Sequence, residues 1–317
     1  MRNQFFNSLL PITTFFLKTK RNLTFSTCFH RVSNEYSPGY PPMKIEDFEN
    51  LINFFSKNFD LVDLLDSAPE KGYRKMVVTF DDGYKDFQTN SLPILEHYKC
   101  PVTQNVIIDV LDSGETHWTQ KLSRTAEFCE TNEYTKFISE ILGVTLLNNQ
   151  NKEQLALELF HILKNRDILF IERFIEMVMN KFHLNKDIFI PMLVWDDLIQ
   201  ISKETKLVKW GCHTKSHKNL AHVNDLNELE NEILYSKNIM EKCLGSEIDR
   251  FAFPNGDASQ LAYDFTSDHF KFLQFTEFVP KTIKTTQQNF ITRNQPYYNS
   301  VSENIHKCIG IHNFIRR

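Results

Sequence analysis

The feature that most constrains the fold is an apolar run that ends in two adjacent carboxylates. Residues 76–80 read MVVTF, and Asp81, Asp82 and Gly83 follow them directly. A continuous, valine-rich run of this kind predicts a parallel strand that is buried on both faces. The two carboxylates would then emerge at the carboxyl end of that strand, where α/β sheets and barrels place their functional sites.

Two like charges at the rim of a buried strand need compensation. Desolvation and mutual repulsion disfavour the charged forms unless a cation lies nearby. Gly83 allows a sharp backbone turn or a close approach to a ligand. An ordinary turn explains an Asp-Asp-Gly tripeptide equally well, because both residue types are common in turns. The tripeptide alone therefore leaves a cation site and a turn as open alternatives.

Strand-like and helix-like segments alternate over most of the chain. Seven strands are expected, at residues 23–32, 76–80, 101–108, 207–212, 249–253, 270–276 and 290–293. Helices are expected at residues 45–55, 89–98, 195–201 and 225–244. This alternation is typical of an α/β domain with a parallel sheet.

The segment at residues 112–190 differs from the rest of the chain. Its apolar residues recur with a helical period, and it contains no strand-like run. Because the alternation of strands and helices resumes after it, we interpret the segment as a helical insertion and not as a separate domain. The expected organisation is an N-terminal segment at residues 1–22, followed by one α/β domain at residues 23–317 that carries the insertion.

Composition favours an ordinary globular protein. A chain of 317 residues can bury a large core, and 41% hydrophobic with 24% charged residues fits that class. The formal net charge is −4, and no basic stripe is interleaved with aromatic residues. The sequence therefore gives no electrostatic basis for binding nucleic acid.

The cysteines and the N terminus bear on the location of the protein. The six cysteines are widely spaced and form no Cys-x-x-Cys pair, so neither a zinc–thiolate site nor a small disulfide scaffold is indicated. Scattered cysteines favour a reducing compartment. Residues 5–17 are apolar but interrupted, which makes them a poor secretory signal and too short to span a bilayer. We expect a cytoplasmic protein without a transmembrane segment. Whether residues 5–17 make a weak contact with a membrane surface is left open.

A second polar motif follows the strand expected at residues 207–212. His213 and His217 have a spacing at which two imidazoles can face one cation if the turn after the strand is helical, although eleven histidines in the chain make a chance pair common. The context strengthens the interpretation, because this motif and the carboxylates both follow buried strands and should lie at the same rim. Two histidines and one carboxylate leave coordination positions open on a metal, and the second carboxylate is then available as a base.

Three motifs resemble those of the polysaccharide deacetylases of carbohydrate esterase family four. They are TFDDG at residues 79–83, HTKSH at 213–217 and FAFPNG at 251–256. The motifs occur in the family's order, each at or after an expected strand. The resemblance extends from about residue 23 to the C terminus, and the insertion matches least.

The resemblance implies a fold, a cofactor and an activity. The fold is a distorted (β/α) barrel of about seven strands. Asp82, His213 and His217 would hold a divalent metal ion, with zinc preferred, and Asp81 would be the general base; the spacing alone does not decide which aspartate binds the metal. The implied reaction removes an N-acetyl group from an amino sugar in a glycan or glycan precursor, so an N-acetylated sugar is the expected partner.

The sequence departs from the family's pattern in two places. The position that often carries an arginine, which braces the base, is Ala252 here, and Arg293 at the end of the last expected strand is the candidate replacement. No general acid of the family's type is recognisable, because neither His306 nor His312 has the expected preceding residues. Asp81 would then return the proton itself.

Other residues near the expected rim carry weaker signals. His30, Pro254 and Asn255 are candidates for substrate contacts, since each lies near the end of an expected strand or directly after it; core packing and turn chemistry explain them about as well. His117 and Trp118, at the edge of the insertion, are better interpreted as packing residues.

Two alternative functions stay open at this stage. One is a hydrolase that uses the same metal site on a non-sugar amide or imide. The other is a carbohydrate-binding relative with impaired catalysis. The presence of all four residues Asp81, Asp82, His213 and His217 argues against the second alternative.

Overall fold

The structure of the protein is a computed structural model. It describes Pro11 and residues 22–146, 151–287, 289–297 and 300–310. Most of the expected N-terminal segment at residues 1–22 lies outside the described residues, including most of the part for which a membrane-surface contact is left open, and so does His312.

The strands form one parallel sheet whose main path follows chain order. Seven strands pair side by side along that path, and a short strand, β2, pairs with β3 outside it. The strands are β1 (Leu23–Phe29), β2 (Asp60–Leu61), β3 (Arg74–Phe80), β4 (Val102–Val106), β5 (Val208–Cys212), β6 (Arg250–Ala252), β7 (Phe272–Phe275) and β8 (Phe290–Thr292). All seven expected strands are present; six are shorter than predicted, and β3 begins two residues earlier than predicted.

The sheet curls into a barrel with a seam between its first and last strands. At the seam, Thr27 and Asn294 form an isolated parallel bridge, in which the Cys28 N–H donates to the Asn294 carbonyl at 2.9 Å and the Asn294 N–H donates to the Ser26 carbonyl at 2.9 Å. The fold is therefore the expected distorted (β/α) barrel. Because all strands run in the same direction, their carboxyl ends lie at one rim.

Helices cover the outside of the barrel. They are α1 (Ile45–Asn58), α2 (Leu92–His97), α3 (Ile108–Ser113), α4 (Trp118–Phe128), α5 (Thr131–Leu142), α6 (Lys152–Leu163), α7 (Ile168–Lys181), α8 (Trp195–Glu204), α9 (Leu226–Leu229), α10 (Tyr235–Leu244), α11 (Gln260–His269) and α12 (Val301–Cys308). Helix α1 shows why the pattern forms a helix, since its apolar residues at helical spacing are the buried ones: Phe48, Leu51, Ile52 and Phe55.

The insertion has a hydrophobic core of its own. Helices α4 to α7 bury Trp118, Leu122, Tyr134, Leu155, Leu159, Phe174 and Val178, among others, in a cluster separate from the barrel core. The barrel core contains residues of β1, β3 and the helices outside the sheet. The insertion therefore folds as a packed helical unit between β4 and β5.

No helix among the described residues has both the length and the apolar character needed to cross a membrane.

Gly211 on β5 provides a test of the packing between strands. It pairs with Asn105 on β4, and an added Cβ would overlap the Asn105 side-chain oxygen and lie 2.9 Å from Cγ of Arg250. We expect Gly211→Ala to lower the free energy of unfolding by about 1–3 kcal/mol, the usual cost of overpacking, measured as a fall in the thermal unfolding midpoint. Lys209→Ala, at an exposed position of the same strand, is the control. Equal unfolding midpoints for the two variants would show that Asn105 and Arg250 do not pack against Gly211 as closely as the structure indicates.

Candidate metal centre

Three loops that follow β3, β5 and β6 bring the polar motifs to one place at the rim. The strand β3 ends directly before Asp81, and β5 ends directly before His213. The β6 loop forms a tight turn in which Asn255 has a φ of 60°. The strand order places β3 next to β4 and β4 next to β5, so the carboxylates and the imidazoles face each other across a single intervening strand.

Asp82, His213 and His217 converge on one point. Oδ1 of Asp82 lies 3.4 Å from Nε2 of His213 and 3.6 Å from Nε2 of His217. One ligand atom from each residue lies within 4.8 Å of the other two, and all three residues are buried. The geometry brings together the three residues that the sequence predicts as metal ligands, while their binding of a metal stays a prediction.

The polar atoms at this point fit a divalent cation. Oδ1 of Asp82 is buried and has no hydrogen-bond partner among the described residues, which is costly for a carboxylate oxygen unless a cation balances it. Nδ1 of His213 lies 2.8 Å from the Ala252 carbonyl. That carbonyl can only accept, so Nδ1 carries a proton and Nε2 is the nitrogen that would bind a metal. One carboxylate oxygen and two imidazole nitrogens form a donor set that suits zinc and other divalent transition ions.

The charge states of Asp82 and His217 agree with that donor set. Burial alone would raise the pKa of Asp82, but His117 and His213 hold it well below its usual range. Burial lowers the pKa of His217 well below its ordinary value. An ionised carboxylate and a neutral imidazole are the forms that bind a metal. Burial alone would lower the pKa of His213, but Asp81 and Asp82 raise it above its ordinary value, so a metal would displace a proton from His213.

The backbone at these residues adopts conformations that side chains disfavour. Among the described residues, seven other than glycine have a positive φ, and four of them are Asp82 (77°), Thr214 (62°), His217 (58°) and Asn255 (60°). Such conformations cost roughly 1–3 kcal/mol each and cluster at functional sites. The strain is thus concentrated in the loops that carry the candidate ligands.

A buried glutamate holds the turn between the two histidines. The carboxylate of Glu232 accepts hydrogen bonds from the backbone N–H groups of Lys215 (3.1 Å) and Ser216 (3.0 Å) and from the Ser216 hydroxyl (2.8 Å). Glu232 lies in a π-helical turn between α9 and α10. Its three acceptor contacts fix the strained turn, so the two imidazoles are held facing Asp82.

Asp81 pairs with Arg293. Two parallel hydrogen bonds of 2.7 Å join Nη1 and Nη2 of Arg293 to the two oxygens of Asp81. Asn105 also donates to Oδ1 at 2.7 Å, and the Cys28 thiol lies 3.3 Å from Oδ2. Burial alone would raise the pKa of Asp81, but the guanidinium of Arg293 holds it well below its usual range. Arg293 thus occupies the place of the expected brace.

His117 reaches the centre from the start of the insertion. Its Nε2 lies 3.4 Å from Oδ2 of Asp82 and 2.7 Å from the Tyr84 hydroxyl, while its Nδ1 lies 3.0 Å from the Thr119 hydroxyl. His117 is buried. It contacts the carboxylate oxygen opposite to the one that faces His213 and His217, so it orients Asp82. The interpretation of His117 as a packing residue missed this contact.

A cavity of about 340 Å³ opens above the centre. His30 and Asn255 line it, as do Asp81 and Asp82. Pro254 is buried and is not among the lining residues. The Nδ1 atom of His30 is hydrogen-bonded to the Tyr297 hydroxyl. The substrate contacts predicted for these residues stay predictions.

The structure does not bring His306 to the centre. It is buried on α12, with Nδ1 2.6 Å from the Ser302 carbonyl, and it does not line the cavity. The structure therefore offers no support for it as the general acid.

Sequence reasoning missed three residues of the site: Asn105, His117 and Glu232. A usable signal existed for Asn105, since Gln104 and Asn105 are amides inside a strand that was expected to be buried. Buried amides need hydrogen-bond partners, which pointed to a polar interior. His117 and Glu232 carried no such signal, because their roles depend on helices that approach the rim from elsewhere in the chain.

The fold is shared with polysaccharide deacetylases of known structure. A polysaccharide deacetylase from Bacillus cereus matches with a TM-score of 0.57 and 14% identity over 90% of this chain and 68% of its own. A Streptococcus pyogenes deacetylase in complex with acetate matches with a TM-score of 0.57 and 12% identity, over 90% of this chain and 97% of its own. A de-N-acetylase from Aggregatibacter actinomycetemcomitans matches with a TM-score of 0.51 and 14% identity, over 85% of this chain and 93% of its own. The fold that the three motifs implied is thereby confirmed.

Comparison of the sequence alone with protein-family models and with curated proteins gives no match.

The contact between His117 and Asp82 predicts a change in metal affinity. Loss of a residue that orients a ligand typically weakens binding 10–100-fold, so we expect His117→Phe to weaken zinc binding by about that factor in a chelator competition. His213→Ala, which removes a candidate ligand, should weaken it further. His161→Phe is the control, because His161 lines the same cavity and its ring packs against Phe160. Unchanged affinity in His117→Phe would show that the contact does not orient the ligand.

Proposed function

We propose that the protein is a metal-dependent hydrolase that removes N-acetyl groups from an amino sugar in a glycan or glycan precursor. One observation carries the proposal: an unpartnered Asp82 oxygen faces His213 and His217, beside an Asp81 that is paired with Arg293. A base next to a candidate metal site is the arrangement that amide hydrolysis needs. The fold shared with deacetylases supports the same reaction class.

Asp82, His213 and His217 would hold the metal ion. When bound there, a divalent cation would polarise the acetamide carbonyl and lower the pKa of a water molecule. All three residues line the cavity, which leaves room for a water molecule and the acetamide group beside a bound ion. Zinc is the preferred ion in this proposal, on the basis of the donor set.

Asp81 would act as the base. Its Oδ1 accepts from both Arg293 and Asn105, whereas Oδ2 accepts from Arg293 and lies 3.3 Å from a thiol. Because a thiol is a weak donor, Oδ2 is the oxygen with capacity to accept a proton from the attacking water. Arg293 holds the carboxylate in position and ionised. Asp81 would then pass the proton to the departing amine.

The products of the proposed reaction are acetate and a free amine on the sugar. The S. pyogenes deacetylase with this fold was solved in complex with acetate, which agrees with acetate as a product here. Aromatic rings of Tyr40 and Tyr297 line the cavity with ring centroids 5.1 Å apart. Such rings suit the apolar face of a sugar.

We also propose that the protein acts in a reducing compartment such as the cytoplasm. All six cysteines are free, and five of them are buried. Free cysteines are typical of proteins from reducing compartments, which favours a soluble or lipid-linked precursor as the substrate.

The role of Asp81 predicts the loss of activity without loss of metal. Proton transfer by a positioned side chain contributes about 10²–10⁴-fold to rate. We therefore expect Asp81→Asn to lower kcat for acetate release from N-acetylated sugars by about that factor. The proteins would be stripped of metal and reloaded with zinc, and bound zinc would be measured in parallel.

Asp196→Asn is the matched control, because Asp196 is an exposed carboxylate at the start of α8. It should keep full activity. Zinc-loaded wild-type protein that releases no acetate from any sugar would contradict the proposal and favour a non-sugar amide. Wild-type protein that binds no zinc would contradict the metal centre itself.

A further inference from the structure

We propose, on the basis of the function above, that the site accepts a glycan by its end. Helix α6 of the insertion lies along one side of the cavity, and contacts at both ends of this helix join it to loops of the barrel rim. A glycan could then place a terminal residue in the cavity, whereas the middle of a long polymer could not lie across the rim.

One face of α6 forms a wall of the cavity. The residues that line it recur at helical spacing: Ala156, Leu157, Phe160, His161 and Lys164. With a rise of about 1.5 Å per residue, the wall runs for roughly 12 Å along the helix. The insertion therefore contributes a continuous side of the site and not a single contact.

At its first end, α6 contacts the loop that follows β1. A Cβ added to Gly39 would lie 3.0 Å from Cβ of Ala156 and 3.3 Å from the Ser123 hydroxyl, which shows how closely the loop backbone approaches the insertion. The Gln120 amide of α4 also donates to the Ser37 hydroxyl of that loop at 2.7 Å, with both groups buried. This end of the cavity is closed by packed groups.

At its second end, α6 is joined to the loops that follow β5 and β6. Nζ of Lys164 lies 3.6 Å from Oδ2 of Asp257, which directly follows the turn at Asn255. The next residue, Asn165, accepts a hydrogen bond of 2.7 Å from the amide of Asn219. Asn219 lies two residues after His217. Two polar contacts thus close this end.

The middle of α6 is tied to the metal centre. Phe160 stacks on Trp118 with ring centroids 5.7 Å apart and an interplanar angle of 9°. The Trp118 indole N–H in turn donates to the His217 carbonyl at 3.4 Å. The helix is therefore held against the centre along its length, and a polymer cannot pass between the two without breaking these contacts.

Two exposed aromatic residues also line the cavity. Phe278 and Tyr40 are 70% and 43% exposed. Both belong to loops of the barrel rim. A glycan that enters past these aromatic residues meets the wall of α6, so its terminal residue reaches Asp81 and Asp82 while the rest of the chain extends outwards. The cavity of about 340 Å³ lies at the small end of the range for ligand sites.

The test uses a pentamer of N-acetylglucosamine and zinc-loaded protein. After brief reaction, tandem mass spectrometry locates the residue that has lost its acetyl group. We expect the loss at one terminal residue, with an initial rate per molecule that does not increase from the trimer to longer oligomers. Early loss at internal residues would overturn the inference while leaving the proposed function intact. Absence of acetate from every oligomer would overturn the proposed function and this inference with it.

A variant tests whether the contacts of α6 cause the selectivity. Lys164→Ala combined with Asn219→Ala removes both polar contacts at the second end of the helix. We expect this variant to release acetate from internal residues as well. Lys121→Ala is the control, because Lys121 forms an ion pair with Glu172 inside the insertion, and it should keep terminal selectivity. Unchanged terminal selectivity in the double variant would show that these contacts do not close the site.

Discussion

The ion pair between Arg293 and Asp81 joins the last strand of the barrel to β3, across β1 and the seam. Arg293 directly follows β8, the last strand, and Asp81 directly follows β3. Both side chains are buried, so each charge would be unfavourable without the other. The pair therefore depends on the barrel closing at the seam, where Asn294 bonds to β1. A barrel that failed to close would leave Asp81 without its cation and the candidate base without its orientation.

The two adjacent carboxylates are separated by the backbone. A positive φ at Asp82 turns its side chain towards the histidines while Asp81 faces Arg293. Each carboxylate thus has its own compensation: a guanidinium for Asp81, and imidazoles with a candidate metal for Asp82. Because the compensating groups differ, the residues can have different chemical roles although they are neighbours. The insertion adds to this arrangement through His117, and its helix α6 walls the cavity.

The sequence was sufficient to predict the strands and the residues that meet at the rim. Apolar runs of β-branched residues are strong local signals, and strands in parallel necessarily end at one rim, which brought Asp82, His213 and His217 together. Arg293 was predicted from its place at the end of the last strand. The contacts of His117 and Glu232 could not be predicted in this way, because they depend on how helices pack against the barrel. The wall formed by α6 could not be predicted either, because it depends on the same packing. Sequence periodicity shows which face of a helix is buried but not which part of the protein that face packs against.

We propose that Asp82, His213 and His217 form a metal centre beside an Arg293-bound Asp81. A crystal structure of the zinc-loaded protein, with zinc located by its anomalous scattering, would test this arrangement. We expect one zinc ion at about 2.0–2.2 Å from Oδ1 of Asp82 and from Nε2 of both histidines, with the two bonds from Arg293 to Asp81 retained. Zinc bound through Asp81, or an Asp81 turned away from Arg293, would contradict it.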